Sequence, residues 1–101
     1  MTKQQLLDSI KITFDSGIEI VEKKNTDYAR GDDAFSNFRH SELVGVSVER
    51  AILVRICDKI ARLGNVLENG ETMVKDESVA DTIVDAINYL AILKAYLEDV
   101  K

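Results

Sequence analysis

Three long stretches of this chain repeat apolar residues every three or four positions, and no proline interrupts any of them. They cover residues 3–24, 47–68 and 77–99 of a chain of 101 residues. That spacing brings side chains onto one face of an α-helix, and proline is the residue that most often breaks a helix. The sequence therefore predicts an all-α fold, a single domain built from three amphipathic helices.

The apolar faces of the second and third helices are too broad for a three-helix monomer to bury. In the first helix the apolar positions are Leu6, Ile10, Phe14, Ile18 and Val21. In the second they are Ile52, Ile56, Ile60, Leu63 and Leu67, and Leu53 and Cys57 widen the face. In the third they are Val79, Ile83, Ala86, Leu90, Leu93 and Leu97, with Ile87 and Ala91 beside them. We expect copies of the chain to associate as a homo-oligomer through these faces, completing a four-helix or larger bundle.

Local signals mark where the helices begin and end. Ser47 is a suitable N-cap for the second helix, and Asn69-Gly70 opens a turn over residues 69–76. Gly17 lies inside the first helix, where it predicts a close approach of another element. Residues 25–46 lose the helical period, so we expect a long polar connection there, with one short helical turn at 32–39.

Composition excludes several classes of function. A net charge of −5 and a pI near 4.8 disfavour binding to nucleic acid polymers and to anionic membranes. A single cysteine, Cys57, and a single histidine, His40, exclude an internal disulfide and make a zinc site improbable. The first residues contain no uninterrupted apolar stretch and no apolar run reaches the length of a membrane span, so we expect neither a signal peptide nor a transmembrane segment. We therefore expect a soluble, cytoplasmic protein.

Acidic residues recur along one side of the third helix. Glu77, Asp81, Asp85 and Asn88 follow at intervals of four, four and three residues, which brings them onto successive turns. Carboxylates this close repel one another unless a cation lies nearby, and Mg²⁺ favours such oxygen ligands. The alternative is a solvated acidic face near the N-terminus of a helix, where the helix dipole stabilises carboxylates.

The second helix carries a row of cations interrupted by one acid. Arg55, Asp58, Arg62 and Asn65 recur at helical spacing, with Lys59 beside them. Guanidinium groups match phosphate oxygens in bidentate fashion, so this row predicts a phosphate clamp next to a metal ligand. The alternative is a set of ion pairs within the helix. If the two helices pack antiparallel, these cations meet the acids of the third helix.

Aromatic and amide side chains are gathered in and before the polar connection. They are Lys24, Asn25, Asp27 and Tyr28, followed by Phe35, Asn37 and Phe38. Aromatic rings beside amides can stack on a nucleotide base and hydrogen-bond its edge. The alternative is that the rings fasten the connection to the core.

Four segments together resemble a known family. KNTDY at 24–28, AFSNF at 34–38, RICDKIARL at 55–63 and ESVADTIVDAINYL at 77–90 are similar to the phage nucleotide-modification-associated domain family. That family is related to the MazG-like all-α nucleoside triphosphate pyrophosphohydrolases. The resemblance covers about three quarters of the chain, residues 24–97.

The resemblance implies an oligomeric helical bundle that binds nucleotides between its helices. In the related hydrolases, carboxylates hold Mg²⁺ and a metal-activated water attacks a phosphate. Carried onto this chain, the metal ligands are Asp58, Glu77, Asp81 and Asp85. The phosphates then meet Arg55, Lys59 and Arg62, and the base lies near Tyr28, Phe35, Phe38 and Tyr89, with Lys24, Asn25, Asp27, Asn37 and Asn88 completing the nucleotide site.

The chain also departs from the hydrolase pattern. Lys59 and Arg62 stand where the hydrolases have further acids, and cations there repel Mg²⁺ and attract phosphate. Two functions follow from the sequence: Mg²⁺-dependent hydrolysis of a nucleoside triphosphate to the monophosphate and pyrophosphate, or a non-catalytic module. Such a module would sequester a signalling nucleotide, for example a cyclic one of antiviral defence, or assist a nucleotide-modifying enzyme. A helical oligomerisation domain without a ligand is the third alternative.

Overall fold

The computed structural model describes the backbone of residues 1–28, 31–70, 73–74 and 77–100, and the side chains of 1–24, 31–70 and 79–100. Its elements in chain order are α1 (Lys3–Tyr28), a 3₁₀ helix (Ser36–Val44), α2 (Val48–Asn69), β1 (Met73–Val74), β2 (Glu77–Ser78) and α3 (Val79–Asp99). The predicted all-α class is confirmed. Among the described residues, no helix is long and apolar enough to cross a membrane.

The ends of α2 follow the local signals in the sequence. The Ser47 hydroxyl accepts a hydrogen bond from the backbone N–H of Arg50 at 3.4 Å, which satisfies one of the unpaired N–H groups of the first turn. Gly70 adopts the left-handed conformation, with φ of 68°, immediately after the last helical residue. The predicted N-cap is confirmed, and α2 ends at Asn69-Gly70 as that signal indicated. The prediction of a turn over the whole of residues 69–76 is wrong in part, because Met73 and Val74 form strand β1 by pairing with residues 77 and 78; residues 71, 72, 75 and 76 lie outside the described residues.

The polar connection begins four residues later in the structure than predicted. α1 runs to Tyr28 instead of Lys24, because Asn, Thr and Asp are only a few tenths of a kcal/mol poorer in a helix than better formers and a helix already begun extends through them. The short turn expected at 32–39 is a 3₁₀ helix at Ser36–Val44. The Ser41 hydroxyl stabilises the end of this helix, because its single proton is shared between the backbone carbonyls of Phe38 and Val46, at 3.0 and 2.8 Å.

The start of α3 also differs from the prediction. Residues 77 and 78 belong to an antiparallel pair of two-residue strands, in which Val74 faces Glu77 and Met73 faces Ser78. α3 begins only at Val79. Glu77 therefore does not belong to the helical row of Asp81, Asp85 and Asn88, because its backbone is committed to pairing across the hairpin.

The core lies between α2, α3 and the 3₁₀ helix. Val48, Ile52 and Ile56 of α2 are buried, and half-buried aromatic and aliphatic side chains pack against them. These are Phe38, Tyr89, Ile92, Leu93 and Tyr96. α2 packs along α3, whereas α1 packs against α3 less extensively. α3 is thus the central element of the molecule.

Gly17 is a point of close approach between α1 and α3. A Cβ at this position would lie 2.7 Å from Oδ1 of Asn88, and the Asn88 amide donates a hydrogen bond to the Gly17 carbonyl at 3.1 Å. The predicted close approach at Gly17 is confirmed. It fixes α1 against the middle of α3.

Candidate functional site

An open groove runs between the C-terminal half of α1, the 3₁₀ helix, α2 and the middle of α3. It has a volume of about 950 Å³, and we call it the aromatic groove. It brings together eight of the residues that the sequence analysis selected. They are Lys24, Phe35, Asn37, Phe38, Arg55, Asp85, Asn88 and Tyr89. Residues from four separate segments therefore converge on one cavity.

Two aromatic rings fasten the 3₁₀ helix to α3 and form part of the wall of this groove. Phe35 meets Tyr96 edge to face, with ring centroids 5.1 Å apart, and Phe38 meets Tyr89 in the same way at 6.3 Å. Such pairs stabilise packing beyond the area they bury. These two rings therefore do attach the connection to the core, which was the alternative role predicted for them. Phe35 and Phe38 nevertheless remain only half-buried and line the groove.

A second groove, of about 740 Å³, lies along one flank of α2. Its polar lining comes from α2, and we call it the basic groove. The side chains are Arg55, Asp58, Lys59, Arg62, Asn65 and Asn69, with Tyr89 contributed by α3. The lining carries three cations against one acid, Asp58, so this surface is locally positive on a chain whose net charge is −5. Arg55 and Tyr89 line both grooves, so the two cavities adjoin.

An ion pair joins the cations of α2 to the acids of α3. Nζ of Lys59 lies 3.1 Å from Oδ2 of Asp85, and the two side chains are only 22% and 19% exposed. The half-buried position makes this pair stronger than a surface salt bridge. The interhelical meeting of cations and acids expected from the sequence is thus present for this pair.

The predicted Mg²⁺ ligands do not form a metal site in the described part of the chain. No three His, Cys, Asp or Glu side chains converge there. The Asp85 carboxylate already has the Lys59 ammonium beside it, and a cation at that distance repels a second one. Asp58 lies in the basic groove between arginines, and Asp81 lines neither groove. The described donors therefore do not fit a Mg²⁺ cage.

Several selected side chains lie outside the described residues. Asn25, Asp27 and Tyr28 are within α1 and Glu77 is within β2, but their side chains are not described. Their assignments to the nucleotide and metal sites remain predictions. Asn88 does line the aromatic groove, but its amide nitrogen is engaged by Gly17.

The aromatic groove also contains residues that the sequence analysis did not select. His40 and Ser36 of the 3₁₀ helix, Val21 of α1 and Ile92 of α3 all line it. The periodicity of α1 marked Val21 only as core, and Ile92 was not among the apolar positions selected on the third helix. His40 gave no signal because it forms no recognisable motif with its sequence neighbours, and the rest of the groove comes from α1, α2 and α3.

An exposed ion pair stabilises the entry to the 3₁₀ helix. Arg39 donates hydrogen bonds to the two carboxylate oxygens of Asp33, at 2.5 and 3.2 Å, and the Phe35 N–H donates a third at 3.1 Å. The bonds from Arg39, and then the one from Phe35, hold the pKa of Asp33 below its ordinary value of 3.8. This arrangement positions the segment that carries Phe35 into the groove.

Comparison with known proteins adds no further assignment. No protein-family model matches this chain, and no curated protein or solved structure matches it either. Function must therefore be argued from the two grooves.

Proposed function

We propose that the chain binds a nucleotide across the two adjoining grooves, with the base in the aromatic groove and the phosphates in the basic groove. The observation that carries this proposal is the junction of the grooves at Arg55 and Tyr89. A nucleotide has a flat, weakly polar base and an anionic phosphate end. The aromatic groove matches the base, and the basic groove matches the phosphates.

The aromatic groove suits a nucleobase. Half-exposed edges of Phe35 and Phe38 offer an apolar wall, and the exposed Asn37 amide can both donate to and accept from the edge of a base. Each groove alone has a volume in the range typical of small-molecule sites. Together they can accept a nucleoside polyphosphate or a dinucleotide.

The basic groove suits phosphate. Arg55 and Arg62 carry planar guanidinium groups that bond phosphate oxygens in pairs, and Lys59, which is paired with Asp85, adds a third cation. Lys24, which lines the aromatic groove, supplies a cation for a second phosphate of a dinucleotide.

Binding without hydrolysis is the version of this function that the ion pair favours. With Asp85 paired to Lys59, a metal ion would have to displace an ammonium group before it could use that carboxylate. We therefore propose a nucleotide-binding module that sequesters a signalling nucleotide or presents a nucleotide to a modifying enzyme. A nucleotide-binding role agrees with the resemblance of the sequence to the phage nucleotide-modification-associated domain family.

Isothermal titration calorimetry with nucleoside triphosphates and cyclic dinucleotides tests the proposal. Arg55→Ala should weaken the affinity for the ligand that binds by about 10-fold to 100-fold, since a charge-assisted hydrogen bond contributes ~1.5–3 kcal/mol. The matched control is Arg50→Ala, because Arg50 is an exposed arginine of α2 that lines neither groove. Equal losses in the two variants would show that only net charge matters.

A second matched pair tests the aromatic groove. Lys24 lines this groove and its neighbour Lys23 does not. Lys24→Ala should weaken binding of a dinucleotide more than binding of a mononucleotide, whereas Lys23→Ala should change neither. Absence of binding by every nucleotide in the panel would contradict the proposed function.

Product analysis separates binding from hydrolysis. Each titrated sample, with and without Mg²⁺, is analysed for released pyrophosphate and for intact ligand. Recovery of the ligand intact supports the binding module. Pyrophosphate release that requires Mg²⁺ and is lost in Asp81→Ala would establish the hydrolase instead.

A further inference from the structure

The isolated chain exposes far more surface than a folded protein of its mass normally does. Its accessible surface is 7740 Å², whereas a compact monomer of 11.3 kDa exposes about 5,700 Å². Its radius of gyration is 15.4 Å, against an expected value of about 13 Å for this length. An excess of this size indicates that surface is left over for another chain to cover.

Part of that excess is a pair of apolar rows on the α2–α3 hairpin. Leu53, Ile60 and Leu67 of α2 are 46%, 56% and 81% exposed. On α3, residues 83, 90 and 97 repeat the same seven-residue spacing, and Ile83, Leu90 and Leu97 are 41%, 52% and 47% exposed. A seven-residue repeat keeps side chains on one helix face over successive turns, which is the pattern of helices that pack lengthwise on a partner.

Both rows lie on the same side of the hairpin. At 100° per residue, the α2 row lies on one flank of the buried positions Ile52 and Ile56, and Arg55 lies on the other flank. On α3 the row lies on one flank of the buried Ala86, and Asp85 and Tyr89 lie on the other. Because Arg55, Asp85 and Tyr89 together line the aromatic groove, the two apolar rows share the opposite side.

We propose that a second copy of this chain covers these two rows, so that two α2–α3 hairpins pack face to face as a four-helix bundle. A two-fold arrangement places the same surface on both copies, so one self-complementary patch suffices. Both grooves lie on the far side of each hairpin and stay open to ligand. This inference does not depend on what the grooves bind.

The available area agrees with a stable dimer. Scaled by their exposed fractions, the six side chains offer about 400 Å² of apolar surface, since a Leu or Ile side chain has roughly 100–150 Å² to bury. Dimer interfaces are about 65% apolar, so the whole contact would cover about 600 Å² per copy. That is within the usual range of roughly 600–1,000 Å² per partner.

α1 has an exposed apolar row of its own, at Leu7, Ile10, Phe14 and Ile18. It belongs to a single helix, so it presents one ridge and no groove beside it, whereas the α2–α3 face presents two ridges with a groove between them. This difference is the reason for assigning the second copy to the hairpin. The row on α1 supplies a control for the test.

Light scattering coupled to size-exclusion chromatography of the full chain tests the interface. The natural chain should elute at twice its mass of 11.3 kDa or a higher even multiple. Ile60→Lys combined with Leu90→Lys should halve that mass. Val54→Lys should leave it unchanged, because Val54 is as exposed as Ile60, at 56%, but lies on the outer face of α2.

Circular dichroism checks that the variants keep their helices. If the double lysine variant loses helicity, Ile60→Ala combined with Leu90→Ala decides the matter: it should raise the concentration at which the dimer dissociates at least tenfold. A monomeric natural chain overturns the proposal. So does an assembly that survives both double variants, or one that only Phe14→Ser breaks.

Discussion

Replacing Gly17 by alanine tests how closely α1 approaches α3. In the interior of an ordinary exposed helix, this change stabilises a protein, because alanine loses less backbone entropy than glycine on folding. Here the new Cβ would lie 2.7 Å from Oδ1 of Asn88. The Asn88 side chain cannot move away freely, because its nitrogen donates to the Gly17 carbonyl.

The magnitude follows from three contributions. Alanine gains about 1 kcal/mol in helix propensity. The Asn88 oxygen must retreat by about 0.7 Å to reach ordinary van der Waals contact, which breaks a hydrogen bond worth ~1 kcal/mol. Forcing the Asn88 side chain away from a staggered rotamer costs a further ~0.5–1.5 kcal/mol. We therefore expect Gly17→Ala to lower the free energy of unfolding by about 1 kcal/mol.

A double-mutant cycle with Asn88→Ala isolates the contact. Without the Asn88 amide, the alanine at position 17 meets nothing closer than ordinary contact distance, so Gly17→Ala should then raise stability by ~0.5–1 kcal/mol. Urea denaturation at one fixed protein concentration measures all four variants, since association would make stability depend on concentration.

A stabilising effect of Gly17→Ala in the natural chain would contradict the close contact between Gly17 and Asn88. A destabilising effect of the same size in both backgrounds would refute it as well, because the cost would then come from something other than Asn88. A reversal of sign between the two backgrounds is the expected result.

Three further predictions concern named interactions. Ser47→Ala should lower the free energy of unfolding by about 0.5–1 kcal/mol in urea denaturation. The effect is at the low end for an N-cap because the hydrogen bond from the Arg50 N–H to the Ser47 hydroxyl is long, at 3.4 Å. An unchanged free energy of unfolding would show that this hydrogen bond does not stabilise α2. The pKa of Asp33, followed by NMR of its carboxyl group, should lie below 3.8 and return towards that value in Arg39→Gln. Because the pKa of Asp33 is lower in the folded than in the unfolded state, this contact contributes fully to the free energy of unfolding above about pH 5. The contribution is lost as the pH falls through the lowered pKa. A titration midpoint of Asp33 at or above 3.8 would contradict the contact. Lys59→Ala and Asp85→Ala should show a coupling energy of about 1 kcal/mol in a double-mutant cycle, and additivity would mean that the pair at 3.1 Å contributes nothing.

The sequence alone was sufficient for features that depend on neighbours within one or two helical turns. The apolar repeats predicted three helices, Ser47 predicted the start of α2, and Asn69-Gly70 predicted its end. Gly17 predicted a close approach because glycine has no other advantage inside a helix. Each of these signals is local, so no knowledge of the tertiary structure is needed to interpret it.

Prediction and structure differ where local preferences are weak. Residues 25–28 are poor but tolerable helix formers, and the helix that precedes them extends through their backbone. Glu77 belongs to a strand because a hairpin partner pairs with it, and a two-residue strand leaves no periodic pattern to recognise.

Only the tertiary structure decided which side chains share a surface. Asn88 meets Gly17 across 71 positions of sequence, and Lys59 meets Asp85 across two helices. Periodicity shows which face of a helix is apolar, but it does not show which flank of that face another helix covers. Packing divided the apolar positions of α2 and α3 into a buried core, at Ile52, and an exposed row, at Ile60. Helix packing also left both grooves on the side of the α2–α3 hairpin that faces away from the exposed rows. Sequence alone does not predict this, because the way helices pack depends on contacts between residues far apart in the chain.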